Sequence, residues 1–265
     1  MRNDKMSSLD KALRILQAFS LEKPEWGIRD LAAQLSFSPA TVQRLVTTLK
    51  VHGFLDQDDS TKKYRLGPIY FRFVEVLQSQ YPILKEALPL MRILCSDTGE
   101  TTHLNVIDGR ERLCIHSIES PQYLKASMPV GNRSPLYAGA SSKCLLAFSP
   151  KEFIKNYLDS IALTPLTSAT ITNIDTLWKE LDLIRSRGFA TSTGERTPGL
   201  CSISVPIFGY GGSFIAALSL AVPSVRFNDD EHRAMCLEKL LKTGEKLSRK
   251  MGYGGEYPPT VEPLR

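Results

Sequence analysis

Apolar residues recur at helical spacing in two short runs separated by only three residues. Ile28, Leu31, Ala32 and Leu35 form the first run, and Val42, Leu45, Val46 and Leu49 repeat its pattern. Spacing of i, i+3, i+4 and i+7 puts each set on one face of a helix. The break is Ser36-Phe37-Ser38. Ser38 can accept a hydrogen bond from a first-turn N–H as an N-cap. Pro39 follows at the first helical position, where its missing donor costs nothing. Two short helices across a tight turn predict a helix-turn-helix. Upstream, Leu9, Ala12, Leu13, Leu16 and Phe19 predict another amphipathic helix behind Ser7-Ser8. Downstream, Phe54-Leu55 and Tyr64-Arg65-Leu66 read as short strands around a polar turn at 56–63, a wing after the second helix.

The pattern then lengthens. Ile69 to Gln80 predicts a helix whose Ile69, Phe73, Val76 and Leu77 line one side, with Tyr70, Phe71 and Val74 widening the apolar surface until Pro82 closes it. A further helix runs from Ile83 towards Gly99. THLNVID and RLCIHSIE alternate across Asp108-Gly109, a hairpin signature. Gly131, Pro135 and Gly139 punctuate a loop, and Ala140-Ser141-Ser142 open a helix. Residues 151–157 and 175–187 read as helices, the second capped by Asn173 and ended by Gly188. Strands follow near 189–192, 202–208 and 213–222, then a last helix over 229–250. The Gly- and Pro-rich tail is expected to fray. The chain divides into a head (1–67), a linker helix (68–82), an α+β domain (83–252) and a flexible tail (253–265).

The second helix of the head carries candidate chemistry. With its apolar set inward, Ala40, Gln43, Arg44 and Thr47 turn outward. Arg pairs with guanine O6 and N7, Gln with adenine N6 and N7, and Ala or a Thr methyl touches the thymine methyl. Ser38 and Thr41, at the helix start, complete this candidate DNA-contacting set. In the wing, Lys62, Lys63 and Arg65 suit phosphate contacts, whereas Asp56, Asp58 and Asp59 should point away from DNA. The same pattern also describes an ordinary helical hairpin with a solvated polar face.

Composition narrows the class. The 265 residues are 42% hydrophobic and 23% charged, as in a soluble globular protein of one or two domains. No apolar run approaches the ~20 residues of a membrane span, and MRNDKMSSLD has no signal-peptide core, so a cytoplasmic protein is expected. Residues 1–82 carry 12 Lys and Arg against 9 Asp and Glu, which permits DNA binding without demanding it. Five cysteines without C-x-x-C spacing read as buried thiols of a reduced compartment. His103 and His116, with Cys114 nearby, lack metal-ligand spacing and read as strand side chains in or beside a core. No metal or cofactor is expected. The N-terminus of the helix at Ala140 offers free N–H groups to a carboxylate or phosphate, although Ser141 or Ser142 could simply cap it.

DKALRILQAF, IRDLAAQLSFSPATVQRLVTTLKVHGFL and KYRLGP together resemble the winged helix-turn-helix of IclR-type bacterial transcription regulators. The resemblance continues through GNRSPLYAGASSKCLLAF (131–148), RGFATSTGERTPGLCSISVPIF (187–208) and AALSLAVP (216–223). It implies an α+β chain: winged head, linker helix that helps heads dimerise, and a GAF-like effector-binding domain with a curved antiparallel sheet. It also implies effector contacts at Ala140, Ser141, Ser192, Leu200, Ser202, Ser219 and Ala221. Many relatives carry a carboxylate where Ser192 stands and a cysteine where Ser202 stands, and the hydroxyl expected at Ala221 is missing. Such a pocket is less negative and tolerates an acidic ligand.

The expected function is a ligand-responsive regulator of transcription, a homodimer or homotetramer on a palindromic operator in double-stranded DNA. A small aliphatic or aromatic carboxylate would be its effector, and no membrane is involved. A hydrolase built on Ser141 and Lys143, with His116 elsewhere, is one rival, though the chain lacks G-x-S-x-G, a P-loop or a zinc cluster. A metabolite sensor that never touches DNA is the other. Steep loss of affinity with salt separates the DNA-binding reading from both.

Overall fold

The structure, a computed structural model, describes residues 6–259, 261 and 264. It comprises two compact units, Met1–Pro82 and Ile83–Arg265. In the first, α1 (Ser8–Gln17), α2 (Ile28–Leu35) and α3 (Pro39–Val51) precede a wing of β1 (Leu55–Gln57) and β2 (Tyr64–Leu66), followed by α4 (Ile69–Gln80). Ser7 starts α1 with a reciprocal capping box to Asp10. Ser36 ends α2 in the left-handed region (φ 56°), turning the chain sharply towards α3. Ser38 caps α3 through the Thr41 N–H at 3.2 Å. Replacing Ser38 by Ala is therefore expected to destabilise the head by about 1 kcal/mol in a urea melt. No change would remove the cap from the account.

The head's core gathers Ile15, Trp26, Leu31, Ala32, Val42, Leu45, Val46, Leu55 and Tyr64. This corrects the face expected for α1. Leu9 and Leu13 are exposed, and Ile15 goes inward with Ala12, Leu16 and Phe19 beside it. The reason is tertiary: α1 packs on α3, and Trp26, which bridges antiparallel to Tyr64 and donates from Nε1 to Ala18 O at 3.0 Å, fixes the end of α1. Phe54 is not part of the wing strand. It packs edge-to-face on Tyr70 and tilted against Phe73, a ring cluster that anchors α4. Beyond that anchor α4 buries nothing, and Phe71, Val74, Val76 and Leu77 lie exposed.

The second unit begins with α5 (Ile83–Thr98) and centres on an antiparallel sheet ordered β5-β4-β3-β8-β7-β6. Its strands are β3 (Thr101–Asp108), β4 (Glu111–Ile118), β5 (Arg133–Pro135), β6 (Ala190–Thr193), β7 (Leu200–Phe208) and β8 (Phe214–Pro223). Helices α6 (Ala140–Ala147), α7 (Lys151–Ser160) and α8 (Ile174–Arg187) separate β5 from β6, and α9 (Ser224–Phe227) and α10 (Asp230–Lys250) follow β8. The α10 helix packs on α5, while α6 packs on β6, β7, β8 and α8. The five cysteines are buried and free. No helix among the described residues is long and apolar enough to cross a membrane.

Register decides what meets what. Ser192 pairs with Ser202, and Ser202 with Ala221, so these three stand in one row across β6, β7 and β8. Ser204, Ser219 and His103 make the next row on the same face, across β7, β8 and β3. The hairpin turn sits one residue later than the Asp-Gly pattern suggested: Asp108 pairs with Glu111, leaving Gly109 (φ 62°) and Arg110 as the loop.

The tail differs from expectation in its described part. Tyr257 Oη donates to Pro206 O at 2.8 Å, and Leu264, 1% exposed, joins the core beside α8. Glycines make room for it: a Cβ on Gly244 would overlap Tyr257, and one on Gly188 would overlap Pro258. The tail is apolar where it docks, and those buried contacts oppose fraying.

Candidate functional site

Helix α3 presents Ser38, Ala40, Gln43, Arg44 and Thr47 exposed, with Thr41 half-buried. Ser38 and Thr41 hydroxyls meet at 2.8 Å, and both serve the helix start. Gln43 Nε2 donates loosely to Thr47 Oγ1 at 3.3 Å, and Arg44 reaches Ser8 Oγ at 3.5 Å. These contacts are long enough to be exchanged for a base edge without stranding a buried group. Lys62 and Lys63 are exposed on the wing. Arg65 is exposed there too, and it has a partner. Its Nε and Nη2 both donate to Asp56 Oδ2, at 3.1 and 2.8 Å, because the two residues face each other across β1 and β2. Asp56 and Arg65 thus form a solvent-exposed ion pair, of the kind that holds its partners weakly. Asp58 accepts from the N–H groups of Ser60 and Thr61 and shapes the turn.

In the second unit Ser141, Ser192, Leu200, Ser202 and Ala221 line one cavity, together with His103, Met128, Gly139, Arg196 and Thr197. Ser219 and Ala140 stand next to that lining and not in it. Ser219 Oγ bonds Ser204 Oγ at 2.7 Å in the next row, and Ala140 donates its N–H to Ser202 Oγ at 3.3 Å. Neither Ser141 nor Ser142 caps α6. The N-cap is Gly139 (φ 93°), where a Cβ would come 3.0 Å from Arg196 Cδ, so the position suits glycine twice over. Gly139 donates its N–H to Glu195 Oε2 at 2.9 Å, and Glu195 Oε1 takes Lys143 Nζ at 2.6 Å. Glu180 holds the same ammonium at 3.0 Å. Lys143 Nζ is thus directed at two carboxylates, and no hydrogen bond joins it to Ser141 among the described residues, so the nucleophile-to-base contact of a Ser-Lys hydrolase is not made.

Behind the cavity lies a buried cation. Arg112, fully buried, donates to Ser134 Oγ at 2.7 Å, Asn105 Oδ1 at 2.8 Å and Asn132 Oδ1 at 2.6 Å. Arg196 reaches the same Asn132 oxygen at 3.3 Å. Burial, then repulsion from Arg196, pushes the Arg112 guanidinium down to about 10. Neither arginine has a carboxylate partner among the described residues. Among these residues no cluster of His, Cys, Asp and Glu is arranged for a metal ion. The sequence signal for this centre was the alternation His103, Asn105 on β3 with Arg112 on its hairpin partner. Read as core, those positions conceal a polar row.

Burial, with the Arg112 charge next, pushes His103 down to about 3 from its ordinary 6.5. A depressed histidine is neutral in the fold and takes up a proton on unfolding. Its contribution is therefore complete above about pH 6.5 and erodes as pH falls towards 3, by up to about 1.4 kcal/mol per pH unit. His103→Gln is expected to flatten the loss of stability between about pH 6 and pH 4 in urea melts. An unchanged slope would contradict a neutral, buried His103.

Both units match known families. The family model described as IclR helix-turn-helix domain matches residues 8–59, and Bacterial transcriptional regulator IclR C-terminal matches residues 75–249. The HTH-type transcriptional regulator KdgR of Escherichia coli (strain K12) is 34% identical over 258 residues, 96% of either chain. XynR, from the same organism, is 32% identical over 94% of this chain and 98% of its own. The crystal structure of the Thermotoga maritima IclR superposes with a TM-score of 0.80 at 30% identity, covering 93% of this chain and 99% of that one.

Proposed function

Since this chain belongs to the IclR family of bacterial transcriptional regulators, we propose that it reads a palindromic operator as paired heads and that a small organic acid governs the reading. It is a ligand-responsive DNA-binding regulator and not an enzyme. One observation carries the choice of effector: Arg196 lines the cavity, Arg112 lies behind it, and neither meets a carboxylate among the described residues. Two like charges in a low-dielectric setting favour an anion between or beside them. The hydroxyls of Ser141, Ser192 and Ser202 add donors to the same cavity. The space is tight, with about 20 Å³ open to the centres of water-sized molecules, against ~10–15 Å³ for a single water. Any acid larger than one or two waters requires Met128 or Leu200 to swing aside, an aromatic ring more so than a short aliphatic chain.

The partner of the head is double-stranded DNA, with Gln43 and Arg44 on base edges and Lys62 and Lys63 on phosphates. The occupant of the exposed α4 face is a second copy of this chain. That face carries Phe71, Val74, Val76 and Leu77, and the uncovered Leu9 and Leu13 of α1 belong to the same unit. A homodimer, or a homotetramer built from two, presents two recognition helices to two half-sites. DNA as target places the protein in the cytoplasm.

Two measurements test this. The Lys62→Gln/Lys63→Gln double variant is expected to lower the slope of log affinity against log salt by about 2, with base preferences unchanged. In thermal-shift assays on the full chain, short carboxylic acids are expected to raise the melting temperature while alkylamines do not. Stabilisation by amines alone would overturn the acid reading.

A further inference from the structure

Resting on the small-acid reading above, we propose that His103 is a specificity-determining residue of the effector cavity. It is a neutral imidazole held in one tautomer, whose Nε2–H donates to an oxygen of the effector and disfavours any effector that places an N–H there.

The tautomer follows from a chain of donors. A guanidinium only donates, so the Asn105 atom 2.8 Å from Arg112 Nη1 is the amide oxygen, as placed. Both amide atoms then lie near His103 Nδ1, Nδ2 at 2.9 Å and Oδ1 at 3.3 Å, and the NH2 makes the closer contact. That group also only donates, so Nδ1 supplies the lone pair. A neutral imidazole carries its one proton on the other nitrogen, Nε2. Reversing the Asn105 amide would set NH2 against the Arg112 donors and leave Nδ1 facing an oxygen, which the buried Arg112 forbids. The guanidinium therefore sets the polarity of the chain, and burial with the same positive charge keeps the ring neutral.

The end of that chain is unsatisfied. His103 Nε2 is a buried polar atom with no protein partner, the residue is 1% exposed, and it lines the cavity. A buried N–H without an acceptor is costly, and an effector oxygen in the cavity would meet that need. With Arg196 at the same cavity available to a carboxylate, the arrangement selects an acid whose second polar group offers lone pairs alone: a ketone or a second carboxylate. An ammonium at that place would set donor against donor, beside two guanidinium charges. Sites built around one fixed hydrogen-bond direction reject the mismatched analogue strongly.

The experiment uses the full chain and three matched pairs: pyruvate with alanine, 2-oxoglutarate with glutamate, and succinate with 4-aminobutyrate. Calorimetry is expected to find at least one oxygen member that binds, with its amine counterpart weaker by about tenfold to a hundredfold. His103→Gln should hold that oxygen member within about threefold, because its carbonyl can face Asn105 and its N–H the effector. His103→Leu should lose about tenfold or more. Independently of any ligand, long-range ¹H–¹⁵N spectra of histidine-labelled chain, assigned by loss of the signal in His103→Gln, should show the Nε2–H form. An Nδ1–H or doubly protonated ring overturns the inference, and that result also decides should His103→Leu not fold. If oxygen members bind and the amine or the leucine variant binds equally well, the inference falls and the acid reading stands. If neither series binds, the acid reading falls and this inference with it.

Discussion

Lys143→Met is expected to cost the chain about 3–5 kcal/mol of stability, the largest single loss foreseen. The ammonium is 2% exposed and sits between Glu195, 8% exposed, and Glu180, 20% exposed. Met matches its length and not its charge, so Glu195 is left in the interior with one backbone N–H from Gly139 as its remaining partner. Removing one member of a buried pair is worse than never having had it, because the survivor keeps its desolvation cost. Glu195 precedes Arg196, so the same variant loosens the cavity wall. Urea unfolding read by circular dichroism checks the loss, and adding Glu195→Gln to Lys143→Met should return part of it. A single-variant loss under about 1 kcal/mol would place the pair among weak surface-like bridges.

Arg44→Ala is expected to weaken binding to the preferred duplex by about 1–3 kcal/mol, and the loss should be confined to one base position in each half-site. Fluorescence anisotropy on duplexes changed one base pair at a time measures it. At the affected position the variant should bind all four bases alike. Lys63→Gln offers the contrast: it weakens every duplex evenly, since phosphates look the same everywhere. If Arg44→Ala behaved like Lys63→Gln, Arg44 would be a phosphate contact and base reading would rest on Gln43 and its neighbours.

The head was legible because its determinants are local. A 3.6-residue period, the Ser38 cap and the Pro39 start all act within one or two turns, and α2 and α3 fall where those signals put them. Leu9 and Leu13 misled for a related reason. An α1 stripe containing both was periodic, yet Ile15 was equally apolar, and only Trp26 and α3 choose between the faces. In the second unit, strand existence was readable from alternation while register was not. His103 opposes Ser219, and Ser192 opposes Ser202, pairings set by the whole sheet rather than by neighbours. The resemblance supplied Ser192, Ser202 and Ala221, which stand in one row, but missed Arg196, Arg112 and Asn105. Asn105 and Arg112 sit where a strand pattern reads as core, and Arg196 sits in the loop between β6 and β7. Arg65 shows the same limit: its charge was visible, and its cross-strand pairing with Asp56 was not. In the tail, Gly and Pro suggested fraying, whereas Tyr257 and Pro258 find seats that Gly244 and Gly188 leave open, and Leu264 joins the core.

The exposed row of α3 is the claim on which the regulator reading stands, and selection from a random pool of duplexes tests it most directly. Wild-type chain at moderate salt should enrich two inverted half-sites about one helical turn apart, each with a guanine whose enrichment disappears in Arg44→Ala. Recovery of unenriched sequence by the wild type, or of the same motif by Arg44→Ala, would contradict it.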